Sequence, residues 1–110
     1  MAKSYTLASY KVKLGREDQF LRAWDELAST FSGLPKPPYW GTLIRSRADR
    51  TLFYSFGPCD NEDDVAAMRH NAKAGEAFQT IQDCCDAMTP GDYELVRHVL
   101  VREETDTSSA

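Results

Sequence analysis

Histidine is nearly missing from this chain of 110 residues: only His70 and His98 occur, at no metal-ligand spacing. Cysteine is scarce as well. Cys59, Cys84 and Cys85 make an odd count, two of them are adjacent, and no CxxC is present. That pattern excludes a disulfide framework and a structural zinc site, and free thiols in a reducing cytosol are expected. Long apolar runs are missing too. Stretches such as Val99-Leu100-Val101 fall far short of the roughly 20 residues that a membrane-spanning helix needs. Met1-Ala2-Lys3-Ser4-Tyr5 leads straight into a strand-like pattern without a secretory apolar region, so a cytoplasmic protein with no membrane partner is expected. Nor is there a basic face. Acidic residues outnumber basic ones 17 to 13, for a net charge of −4, and the bases are scattered apart from Arg45, Arg47 and Arg50. A nucleic-acid partner needs a basic surface to displace counterions, so none is expected. No phosphate loop and no nucleophile triad is visible, and no metal or cofactor is expected.

What remains is an ordinary globular composition. Apolar residues make up 42% of a 12.4 kDa chain, enough for one modest core. Residues 5–14 place Thr6, Ala8, Tyr10, Val12 and Leu14 on one face at period two, which predicts a strand. Gly15 breaks it. Glu17 and Asp18 then favour a helix start, and Phe20, Trp24, Leu27 and Phe31 form one apolar stripe over a helix of about 16–31. Leu34-Pro35-Lys36-Pro37-Pro38 reads as a stiff extended connector. Residues 39–47 and 51–57 predict two strands joined by the tight turn 48–50, hence an antiparallel hairpin. Asp60 reads as an N-cap for a helix to about His70. A second helical stripe runs through Ala74, Phe78, Ile81, Cys85 and Met88. Thr89-Pro90-Gly91-Asp92 reads as a type II turn, and residues 93–102 as the last strand. The polar residues 103–110 read as a frayed tail. One domain, 1–102, is therefore expected.

The order β-α-β-β-α-β is the ferredoxin-like pattern. It predicts an α+β fold, a four-stranded antiparallel sheet with the helices on one face. Both faces of the expected strands carry large apolar side chains: Tyr93, Leu95, Val99 and Val101 lie opposite Val96 and Leu100, and Phe53 lies opposite Leu52, Tyr54 and Phe56. Helices cover only one face, so a second copy of the sheet is expected to cover the other.

The Lys-Leu-Gly-Arg-Glu segment that ends the first strand, the early Phe20 and central Trp24, and a hairpin ending in Tyr54-Ser55-Phe56-Gly57 before an acidic helix start form one set. Over residues 5–101 this set resembles the antibiotic biosynthesis monooxygenase family. The resemblance implies a homodimer in which two ferredoxin-like sheets form an α/β barrel, with a small-molecule pocket in each subunit between helices and sheet. It implies a cofactor-independent monooxygenase acting on a small aromatic or quinol-like ligand. The alternative is a non-catalytic dimeric ligand-binding or structural protein on the same fold. Two departures stand out. Cys59 occupies the position after Phe-Gly-x where many members carry Trp. The positions that serve heme degradation in one branch are Ala8, Met68 and Phe78 here, so heme degradation is not expected.

Among single residues, His70 and His98 are the candidate acid/base groups, because imidazole titrates near neutral pH. The competing roles are a helix-end cap for His70 and a satisfied interior histidine for His98. Phe20, Trp24, Phe31 and Phe78 are candidate walls for an aromatic substrate, or simply core. Trp40 is placed to line the pocket mouth, and Tyr10 and Tyr54 to donate hydrogen bonds to a substrate oxygen. Arg45, Arg47 and Arg50 suit either a solvated hairpin tip or an anion clamp. Cys59 and Cys85 read as structural.

Overall fold

The computed structural model describes residues 4–102. Its elements run β1 (Ser4–Val12), α1 (Glu17–Ser32), β2 (Thr42–Arg45), β3 (Leu52–Cys59), α2 (Glu62–Arg69), α3 (Ala72–Cys84) and β4 (Cys85–Glu94). The four strands form one antiparallel sheet in the order β2-β3-β1-β4. This is the expected ferredoxin-like α+β architecture. The expected tail, 103–110, lies outside the described residues.

Residue chemistry sets the early boundaries. Gly15 ends β1 in a left-handed conformation at φ 87°, which a side chain would resist. Glu17 and Asp18 then sit in the first turn of α1, where the helix dipole favours them. The stripe of α1 delivers Phe20, Ala23 and Leu27 to the core. There Phe20 packs 5.0 Å from Tyr10 and 4.9 Å from Phe53, centroid to centroid. At the hairpin turn the Ser46 hydroxyl accepts from the Asp49 N–H at 3.0 Å, and Asp49 accepts from the Thr51 N–H at 3.0 Å. Asp49 also pairs with Lys11; that bond and those from Thr51 hold its carboxyl down to about 2.

Several boundaries differ from the sequence reading. Asn61, not Asp60, caps α2, accepting from the Asp64 N–H at 3.0 Å. The Asp60 carboxylate instead accepts the Tyr39 hydroxyl. β2 is shorter than 39–47. The Trp40 carbonyl presses on the backbone of Gly57 so closely that a Cβ there would sit 2.3 Å from it. Regular pairing begins at Thr42, although the chain before it stays beside β3, where the Tyr39 N–H donates to the Pro58 carbonyl at 3.4 Å. Gly57→Ala must push two backbones apart, and we expect a loss of about 1–3 kcal/mol in chemical denaturation. An unchanged midpoint would show that the 40–41 segment yields freely.

The largest difference lies at the end of the chain. The helical stripe stops at Cys84, and β4 begins at the next residue, so Cys85 and Met88 belong to a strand and the turn expected at 89–92 lies inside it. Pro90 pairs with Ala8 on β1, and Gly91 with Leu7. An edge strand tolerates a proline whose nitrogen faces away from the ladder, and β4 is an edge. Residues 95–102, expected as strand, lie outside the sheet.

The register sorts the two faces. Thr6, Ala8, Tyr10 and Val12 of β1 share the helix-covered face with Phe53 and Ser55 of β3. Leu7, Leu52, Tyr54 and Phe56 point to the opposite face with Ile44 and Tyr93. No helix among the described residues covers that side. Tyr54, Ile44 and Tyr93 stay exposed, so the expectation of an uncovered apolar face stands, although of the expected fourth-strand residues only Tyr93 supplies it. No helix among the described residues is long and apolar enough to cross a membrane.

Candidate functional site

Between the helix-covered sheet face and the helices lies a cavity of about 420 Å³, a size that suits a small organic molecule. Each element contributes through its own periodicity. β1 turns Thr6, Ala8 and Tyr10 inward, and the small Ala8 leaves the space. α1 presents Trp24, Leu27 and Phe31 from one stripe, and α3 presents Phe78, with Phe31 and Phe78 centroids 6.2 Å apart. The proline connector brings Pro37, Pro38 and Trp40 to the mouth. The Trp40 ring makes edge contacts with Phe56 at 6.0 Å and Tyr5 at 6.5 Å, which belong to the other sheet face, so Trp40 sits at the rim between the two.

The inward polar groups are few. The Tyr10 hydroxyl and the Ser55 hydroxyl lie 2.7 Å apart, brought together because Ser55 pairs with Ala8 and Phe53 with Tyr10 across β1 and β3. Burial pushes the Tyr10 phenol above its ordinary value, against hydrogen bonds to Ser55 and Trp24 that pull it down. The phenol is therefore neutral, and a donor, at physiological pH. Arg69 stands at the edge of the cavity, tied to Asp92 at 2.7 Å. Tyr10 and Ser55 thus present a hydrogen-bonding pair within largely apolar walls, where such bonds gain strength from the low dielectric.

The structure gathers Tyr10, Trp24, Phe31, Trp40 and Phe78 around this space. It does not bring the other four candidates there. Phe20 is fully buried under the sheet and belongs to the core. Tyr54 points to the opposite sheet face, because its neighbour Ser55 takes the inward position. His70 ends α2 as its exposed C-cap, its N–H bonded to the Ala66 carbonyl at 3.0 Å. His98 lies in the exposed segment after β4, not in a strand. Ser55, Thr6, Met68 and Arg69 line the cavity although the sequence did not mark them as site residues. Thr6 was legible from the period of β1; Ser55 becomes visible only through strand register. The thiols are quiet. All three cysteines are free and buried; burial raises Cys59, and burial with neighbouring Cys84 takes Cys85 to about 11.

No family model matches the chain, and no curated protein matches it. Solved structures do. The fold is similar to SnoaB, a cofactor-independent oxygenase from Streptomyces nogalater, at TM-score 0.80 and 14% identity over 93% of this chain and 100% of that one. It is similar to a provisionally named antibiotic biosynthesis monooxygenase from Nitrosomonas europaea, at TM-score 0.75 and 18% identity over 87% and 93%. Another so named, from Caulobacter crescentus, gives TM-score 0.77 and 14% identity over 87% and 92%. The resemblance read from residues 5–101 is thus borne out at the level of the fold.

Proposed function

We propose that this chain is a cofactor-independent monooxygenase of a small phenol-, anthrone- or quinol-like aromatic, working as a cytoplasmic homodimer. One observation carries the reading: the Tyr10–Ser55 hydroxyl pair inside a cavity walled by Trp24, Phe31 and Phe78. A planar substrate fits between the aromatic side chains with its oxygen on the pair. The similarity in fold to a cofactor-independent oxygenase supports the reaction class, and three free thiols support a reducing compartment. The uncovered sheet face supports the second subunit.

The chemistry follows from what the cavity holds. Neither histidine lines it, so the substrate must supply its own acidity, as an anthrone or quinol does. Loss of its proton gives a delocalised anion whose charge sits on the ring oxygen, facing Tyr10 and Ser55. The anion passes an electron to dioxygen, the radical pair joins, and a C–O bond forms. For an anthrone, the ring methylene becomes a carbonyl with one oxygen atom. The other oxygen leaves as water with the two hydrogens. The walls exclude bulk water from the reactive pair.

The test is oxygen uptake by metal-free protein over a panel of anthrones and hydroquinones, with quenching of tryptophan fluorescence read in parallel. Saturable uptake that falls in Trp24→Ala is expected. Saturable quenching with no uptake above buffer would move the assignment to ligand binding without catalysis. Neither signal would overturn both.

A further inference from the structure

We infer that Arg69 takes a carboxylate of the substrate, so that the cavity selects planar aromatic acids over the same rings in neutral form. This rests on the aromatic substrate proposed above and names a second group that it carries.

Three observations meet at the edge of the cavity. Charge is the first. Arg69 is the one charged side chain among the described residues that line the cavity. An anionic group on a ligand finds its cation there, whereas elsewhere on these walls it would lose water without gaining a partner.

Unused donors are the second. The Arg69 fork spends one N–H of each terminal nitrogen on Asp92, at 2.9 and 2.7 Å. The second N–H of each, and the Nε–H, have no partner among the described residues. Guanidinium donors lie in one plane, so a second carboxylate is accepted along the side that Asp92 leaves open. The Arg69 and Asp92 side chains are 37% and 47% exposed. Water therefore screens the pair, and it holds the arginine only weakly.

Placement is the third. Gly57 and Asp92 flank Thr6 across the sheet, and Ser55 and Pro90 flank Ala8 in the next inward row. Between Asp92 and Ser55 this floor carries only small side chains. The two backbone positions are two strand spacings apart, roughly 10 Å, and one inward step along the strands, roughly 7 Å, hence roughly 12 Å on the diagonal. The neutral Tyr10–Ser55 pair stands at one end of the floor and the Arg69 guanidinium at the other, with Trp24, Phe31 and Phe78 facing it from the helices. A fused polycyclic aromatic reaches both ends, its ring oxygen on the hydroxyl pair and a carboxylate at its far edge on Arg69. A neutral carbonyl would accept from the same donors, but a bond to an ionised oxygen is about twice as strong. Asp92 then tunes the selectivity. Its charge beside the fork opposes a ligand carboxylate, and the two compete for one arginine.

The test is quenching of Trp24 and Trp40 fluorescence by anthraquinone-2-carboxylate and by its methyl ester. Neither probe is oxidised by dioxygen, so the outcome does not depend on whether the chain is an oxygenase. The parent chain should bind the acid about tenfold more tightly than the ester. Arg69→Gln should abolish that preference, and Asp92→Asn should increase it by about threefold. Far-ultraviolet circular dichroism checks that both variants fold; if Arg69→Gln does not, Asp92→Asn decides alone. Equal binding of acid and ester by the parent chain would overturn the role of Arg69 and leave the aromatic cavity standing. A preference that survives Arg69→Gln, or one that Asp92→Asn does not move, would overturn it in the same way. Quenching by neither probe would remove the cavity reading and this inference together.

Discussion

Phe20→Ala should lower the free energy of unfolding by about 3–5 kcal/mol. The ring is fully buried and packs at a tilt between Tyr10 and Phe53, at 5.0 and 4.9 Å. Those partners sit on two strands that pair directly, β1 and β3, so the sheet cannot close the space by moving one of them alone. Removing the ring forfeits its transfer free energy and leaves a cavity that rigid backbone keeps open. Urea denaturation followed by tryptophan fluorescence measures it. Phe20→Leu retains most of the volume and should cost less than half as much. A loss under about 1 kcal/mol for the alanine variant would mean that α1 collapses onto the sheet, contrary to the packing described.

Tyr10→Phe should separate stability from chemistry. The ring stays in the core, so the change removes one hydrogen bond with Ser55, a cost of about 1 kcal/mol. Oxygen uptake should fall by about 10²–10³-fold, the usual consequence of removing one donor aimed at developing negative charge. The pH profile adds a readout that packing alone would not move. Burial raises the folded-state value of the Tyr10 phenol, so its proton persists as a donor beyond the pH at which a free phenol ionises. The stability linked to that shift is fully present below about pH 10 and is lost as pH rises through the higher folded value. Alkaline unfolding should therefore begin later in Tyr10→Phe than in the parent chain. Uptake unchanged by Tyr10→Phe would show that the substrate oxygen lies elsewhere in the cavity.

The sequence by itself determined whatever depends on neighbours along the chain. The period-two face of Thr6, Ala8, Tyr10 and Val12 made β1, and the stripe Phe20-Trp24-Leu27-Phe31 made α1. Gly15 and the three prolines of the connector set limits that any fold must respect. Those elements, in order, were enough for the ferredoxin-like architecture, and they placed Tyr10, Trp24, Phe31, Trp40 and Phe78 near one another. Tertiary structure decided the rest. Pro90-Gly91 reads locally as a turn, but β1 had an open edge and residues 85–94 reach it with no intervening loop, so strand pairing outweighed turn chemistry. That shift carried His98 out of the sheet and left 95–102 unpaired. Register decided which of Tyr54 and Ser55 faces the cavity, since a displacement of one residue exchanges the faces of a strand. The pairing of Tyr10 with Ser55 depends on residues 45 positions apart, a separation at which no local period carries information.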